Sequence, residues 1–152
     1  MKRFLRNAGL VIIGLLIIIQ FIPLQRTNPP VTREVNWDSP ETRALAQRAC
    51  FDCHSNETVW PWYAYVAPVS LQVTHHVTEG REHLNFSAWD QPNENFNEIE
   101  KAINGGEMPT WDYLLMHSAA KLSDAEKQAL LDGLRATLAN DQPVARQRGP
   151  RR

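Results

Sequence analysis

Hydrophobic positions are spread very unevenly along this chain. From Ala8 to Leu24 they run almost unbroken, with Gln20 the single polar side chain and no ionisable group. As a helix rising about 1.5 Å per residue, this run with Phe4 and Leu5 reaches across a bilayer core of roughly 30 Å. It predicts one membrane span over residues 1–24. Residues 25–36, with Pro29-Pro30 and several polar positions, break the pattern and are expected to form a linker lifting the rest off the membrane. Residues 37–140 then show helical periods. Asp38-Ser39-Pro40 supplies capping side chains and a first-turn proline for a helix over Glu41 to Ala49. Pro68 opens a second, through about Gly80, with Val69, Val73 and Val77 at four-residue spacing. Phe96, Ile99 and Ile103 share the face of a third, which Gly105-Gly106 stops. The clearest is the fourth: Ser123 to Glu126 has capping-box spacing, and Leu130, Leu131, Leu134 and Leu138 stripe the helix that follows. Strand alternation is nearly absent, because the aromatic alternation of Trp60 to Tyr65 contains Pro61. The expected fold is all-α, with four or five short helices and long connections. Residues 141–152 are expected to be a disordered basic tail.

Composition sharpens this picture at two points. Five Trp, five Phe and three Tyr are many for a folding segment of about a hundred residues, so the core is either Trp-rich or packed around something large and flat. The net charge of -1 gives no reason to expect a nucleic-acid partner. Charge placement is more telling, because Lys2, Arg3 and Arg6 precede the apolar run and favour keeping that end in the cytoplasm. Gln20-Phe21-Ile22-Pro23-Leu24 lacks the small residues of a signal-peptidase site, so an uncleaved anchor is expected rather than a removed leader. The expected location is a bacterial inner membrane, spanned once, with the folded domain in the periplasm. The inner membrane is then one partner. Arg146, Arg148, Arg151 and Arg152 in the tail are expected to be solvated.

The two cysteines, Cys50 and Cys53, are separated by only two residues, so a disulfide between them would do little to constrain the unfolded chain. Followed by His54, they match C-x-x-C-H. Two thiols at that spacing reach the two vinyl groups of one haem, and the next residue is held beneath the iron, where a neutral imidazole can coordinate it. A thioredoxin-like pair would open a helix in a βαβ unit, whereas this pair closes a helical segment. A structural zinc site needs four ligands, and no second Cys pair exists.

The surrounding motifs carry a resemblance. Cys50-x-x-Cys53-His54-Ser55-Asn56-x-Thr58-x-Trp60-Pro61-Trp62-Tyr63, Ala67-Pro68-x-Ser70, Glu79-Gly80-Arg81-x-x-Leu84-Asn85-Phe86-Ser87-x-Trp89 and Gly106-Glu107-Met108-Pro109 resemble the bacterial haem-binding domain family over roughly residues 37–139. A second proline commonly follows the Met-Pro of that family, and Thr110 stands there instead. The resemblance implies one covalent haem c, bound through Cys50 and Cys53. It also implies a more distant likeness to monohaem cytochromes c: a small helical domain wrapped around one haem, with C-x-x-C-H after the first helix, Met on a later loop and a long helix last.

For the sixth iron position the expected residue is Met108, on a loop framed by Gly105-Gly106 and Pro109. The ordinary alternative is a methionine that fills a core gap. His76, on the face of Val69 and Val73, is the runner-up ligand, ahead of His83, His117 and Met116. Trp60, Trp62, Tyr63 and Tyr65 are expected to shield the haem, and Arg81 to pair with a propionate. Their ordinary alternatives are core packing and a solvated charge. Together these residues point to single-electron transfer with an unidentified redox partner protein. Alternatives are a haem-based sensor, a small peroxidase-like enzyme with a labile sixth ligand, a thiol-disulfide oxidoreductase, or an assembly protein whose haem completes the fold.

Overall fold

A computed structural model describes residues 1–146. Helix α1 (Lys2–Ile18) continues as a 3-10 turn over Ile19–Phe21 and buries none of its side chains against the rest of the chain. It runs twenty residues to Phe21, and its eighteen-residue apolar stretch has a mean hydropathy of 2.1, long and apolar enough to cross a membrane. Six more helices follow among the described residues: α2 (Pro40–Ala49), α3 (Phe51–His54), α4 (Val69–His83), α5 (Phe96–Asn104), α6 (Trp111–Met116) and α7 (Asp124–Asn140).

The expected caps form. Ser39 accepts from the Thr42 N–H at the head of α2; a cap not foreseen in the sequence forms at the head of α5, where Asn95 accepts from the Glu98 N–H. Ser123 and Glu126 close the full capping box on α7. Gly106 takes a positive φ of 71° just past α5, which a side chain would resist. Helix α4 runs one turn beyond Gly80, and the short α6 has no periodicity long enough to announce it in the sequence.

The core lies between α2 and α7. Ala46 and Ala49 pack with Leu130, Leu131, Leu134 and Leu138, joined by Phe51, Phe86 and Trp89. Ring centroids of Trp37 and Phe86 stand 5.0 Å apart, and those of Phe51 and Phe86 5.7 Å. The two helices nearly touch at Gly133, where a Cβ atom would fall 2.0 Å from Thr42 Oγ1. Thr137 Oγ1 donates to Asp38 Oδ1 and accepts from the Asp38 N–H, fixing the start of α2 to the end of α7.

Two boundaries differ from the expectation. Residues 25–36 are not a free spacer. Asn28 Nδ2 donates to the Thr58 carbonyl, Asn56 Nδ2 to that of Pro30, and the N–H groups of Thr32 and Val35 to the carbonyls of Ser87 and Phe86. Val35 is itself a core residue. The C-terminal boundary moves as well. Asp141 accepts from the Asn36 N–H and from Arg33, its carbonyl accepts from Trp89 Nε1, and β2 (Val144–Ala145) pairs in parallel with β1 (Pro92–Asn93). The expected disordered tail therefore cannot begin at residue 141; Arg148, Arg151 and Arg152 lie outside the described residues. Both segments are held through polar contacts between residues far apart in sequence, and such contacts leave no periodic trace.

Candidate functional site

Cys50 ends α2, and α3 carries Cys53 and His54 directly after it. A buried polar lattice holds this stretch in place. Ser55 Oγ donates to the Phe51 carbonyl and accepts from the Glu57 N–H, and the Asn56 N–H donates to Ser87 Oγ. Asn85 Nδ2 donates to Asn56 Oδ1, and the Phe86 N–H donates to the His54 carbonyl. Ser55-Asn56 and Asn85-Phe86-Ser87 are thus two faces of one clamp, in which each buried polar group finds a partner.

Helix α4 presses against α3 at Gly80. A Cβ there would sit 2.5 Å from the Cys53 carbonyl oxygen, so only glycine permits this approach. The closeness brings the Gly80 carbonyl 2.9 Å from His54 Nδ1, with the Leu84 carbonyl at 3.0 Å. Carbonyl oxygens only accept, so Nδ1 carries the ring proton and Nε2 the lone pair. Burial lowers the His54 pKa, against the two carbonyl bonds, which raise it. The neutral, oriented imidazole that results is the form a metal takes as ligand.

Both cysteines are free thiols, and burial pushes each pKa up to about 12. Redox-active pairs show the opposite displacement, because their chemistry needs a thiolate.

Cys50, Cys53, His54, His76 and Met108 line one cavity of about 360 Å³. A second of about 330 Å³ adjoins it at Cys50, His54 and Met108, walled by Ile99, Ile103 and Leu134. A third of about 320 Å³ adjoins it at Cys53 and His76 and reaches Trp62, Tyr63, Val73, Met116 and His117. Space of this size with apolar walls suits a bound organic group.

The other expected residues divide. Met108 and His76 both face the first cavity, so geometry brings the preferred and the runner-up sixth ligand to one space. Tyr63 lines the third cavity, its hydroxyl 3.4 Å from the His117 ring. Trp62 stands at that cavity yet remains 72% exposed. Trp60 lines none of the three, and its buried Nε1 has no hydrogen-bond partner among the described residues. Arg81 is neither solvated nor aimed at the cavities. It donates to the carbonyls of Ser55 and Thr27, to Asn28 Oδ1 and to Thr58 Oγ1, tying the N-terminal segment to the cysteine loop.

Sequence reasoning missed Asp52 and Tyr113. Asp52 accepts the Val59 N–H through one carboxylate oxygen and, at 2.7 Å, the Tyr113 hydroxyl through the other. Burial and this carboxylate raise the Tyr113 pKa, so Tyr113 stays a neutral donor bracing α6 against α3. Asp112 accepts from Gln72 at 2.6 Å and lies 3.7 Å from His76 Nδ1. Nothing in the local pattern around Trp111 signals these roles.

A small helical domain with two thiols, an oriented imidazole and adjoining apolar space is the architecture of a haem protein. The haem-binding domain family model matches residues 14–136, and the chain belongs to that family. No curated protein and no solved structure matches it. The donor set suits the group: a soft thiol pair at vinyl spacing, a neutral imidazole and a thioether share one cavity.

Proposed function

We propose that this chain is a membrane-tethered, periplasmic c-type haem protein that carries single electrons. Its haem would be attached through Cys50 and Cys53, and His54 and Met108 would hold the iron. The observation that carries this reading is the pair of carbonyls on His54 Nδ1, which leaves Nε2 as the coordinating atom of a residue sharing a cavity with both thiols and Met108.

When bound, the haem would supply an iron that gains and loses one electron, at a potential set by the residues that hold it and by their surroundings. The chain's part is to hold and to exclude. Gly80 and Leu84 fix the imidazole plane, and their acceptance of the Nδ1 proton makes His54 a stronger donor. The thioether of Met108 favours the reduced state. Arg81, fully engaged with the N-terminal segment, contributes no propionate contact in this reading.

Two measurements test it. Denaturing mass spectrometry of protein from a host with haem-attachment machinery should show the polypeptide plus one haem; the bare polypeptide mass overturns the covalent reading. Absorption spectra of ferric and ferrous protein should not change with carbon monoxide. A carbon monoxide complex that forms at once favours a second reading, a sensor or peroxidase-like enzyme, in which His76 beside Asp112 serves as the distal acid-base group.

A further inference from the structure

We infer that the haem domain lies flat on the bilayer, with the surface from Val59 to Val69 in contact with lipid. The inference rests on the membrane-tethered reading of α1, and it begins at Gln20. A span of about 30 Å needs about twenty helical residues, so the helix that ends at Phe21 has none to spare. Gln20 must therefore lie at the hydrocarbon boundary. Its side chain is clasped to the domain: Nε2 donates to the Ala67 carbonyl at 3.0 Å, and Oε1 accepts the Ala67 N–H at 2.9 Å. Ala67 is thereby brought level with the edge of the membrane. A second tie is Arg26, whose guanidinium carbon lies 4.8 Å from the centre of the Tyr65 ring.

The surface around Ala67 has the composition that depth demands. From Val59 to Val69 there is no Asp, Glu, Lys, Arg or His. Yet the segment presents large apolar side chains to solvent: Val59 75%, Trp62 72%, Tyr65 57% and Val66 47% exposed, around the buried Ala64 and Ala67. An exposed apolar patch of this kind on a small domain marks a contact surface. Trp and Tyr are the residues that favour the headgroup region, where an apolar ring and a polar edge are both accommodated. Filling the cavities beside the cysteines would still leave Tyr65 and Val66 uncovered, because they line none of them, although Val59, Trp62 and Val69 line the third. Trp62 and Val69, with Met116 of α6, also line the third cavity, so the proposed lipid-facing surface adjoins it.

The test uses the full-length, haem-loaded protein in vesicles of phosphatidylcholine and phosphatidylglycerol that contain a diazirine-bearing phospholipid. After illumination, peptide mass spectrometry maps the lipid adducts. Adducts are expected within residues 2–21 and also within 59–69. Adducts confined to 2–21 overturn the inference while leaving the tether intact. Absence of adducts from 2–21 sinks the tether reading itself, and the inference with it. The variant Val66→Glu should lose the 59–69 adducts, retain those at 2–21 and keep the parent's absorption spectrum. Persistent 59–69 adducts in that variant also overturn the inference.

Discussion

The two sides of this domain are packed to different standards. On one, α2 and α7 close on each other until Gly133 admits no side-chain atom beside Thr42, and Trp89 and Phe86 are shut from solvent. On the other, α4 and α6 stand around connected space, with Met108 and Trp62 only part-covered. Apolar interiors normally pack as densely as organic crystals, so a side left hollow by its own residues is built around something else. The packed side supplies the stability the chain provides for itself. The hollow side supplies the site, and Gly80 is the hinge between them, where α4 meets the cysteine loop.

One substitution made on each side tests that division. Gly133→Val puts side-chain atoms where Thr42 already stands, and overpacking of this kind costs roughly 1–3 kcal/mol. Thermal unfolding in detergent, followed by circular dichroism, should fall in temperature with haem or without it. An unchanged midpoint would mean that α2 and α7 slide apart freely. Gly80→Ala should act differently. Its Cβ meets the Cys53 carbonyl, pushes α4 off α3 and loosens the two bonds that orient His54. Here the loss should appear in the absorption spectrum and in haem attachment during maturation. A variant with the parent's spectrum and full attachment would show that Gly80 does not position His54.

The packed side was the legible one. The leucine stripe and capping box placed α7, Ser39-Pro40 placed α2, and both follow from local chemistry that a short window of sequence contains. Cys50, Cys53 and His54 are neighbours in sequence and line one cavity, so their grouping needs no long-range contact to be read; their role toward haem belongs to the proposal above. Arg81 was not legible: its four acceptors lie on Thr27, Asn28, Ser55 and Thr58, and no periodicity links such positions. The same holds for Asp52 and Tyr113, a pair made only when α6 folds over α3. Residues 25–36 looked like a spacer because Pro29-Pro30 breaks helices, but an extended segment can also be pinned along its length, as this one is.

Within the hollow side, Met108 and His76 share a wall, and replacing each separates their roles. If Met108 holds the iron as proposed, Met108→Ala should lower the midpoint potential and admit carbon monoxide, because a thioether favours ferrous iron. His76→Ala should leave the potential nearly unchanged. If Met108→Ala keeps the parent's spectrum while His76→Ala alters it, the assignment reverses to two histidines.

The smallest effect is expected on the packed side, at the head of α7. Glu126 accepts from Arg48 and from both the N–H and the hydroxyl of Ser123, and these bonds hold its pKa near about 2 against an ordinary 4.5. A carboxyl whose pKa is depressed by folding adds stability above its unfolded value, and that stability drains as pH falls through the interval down to the folded value. Ser123→Ala removes the cap on the Glu126 N–H and the hydroxyl bond together, which should cost roughly 0.5–2 kcal/mol at neutral pH. The backbone cap's contribution survives acid, since a hydroxyl does not titrate in that range, whereas that of the bond to the carboxylate is partly lost at pH 3, where Glu126 of the unfolded chain is already protonated. Urea unfolding at pH 7 and at pH 3 should therefore show the gap between parent and variant narrowing in acid without closing. A gap of equal width at both would assign the whole effect to the backbone cap and none to the carboxylate.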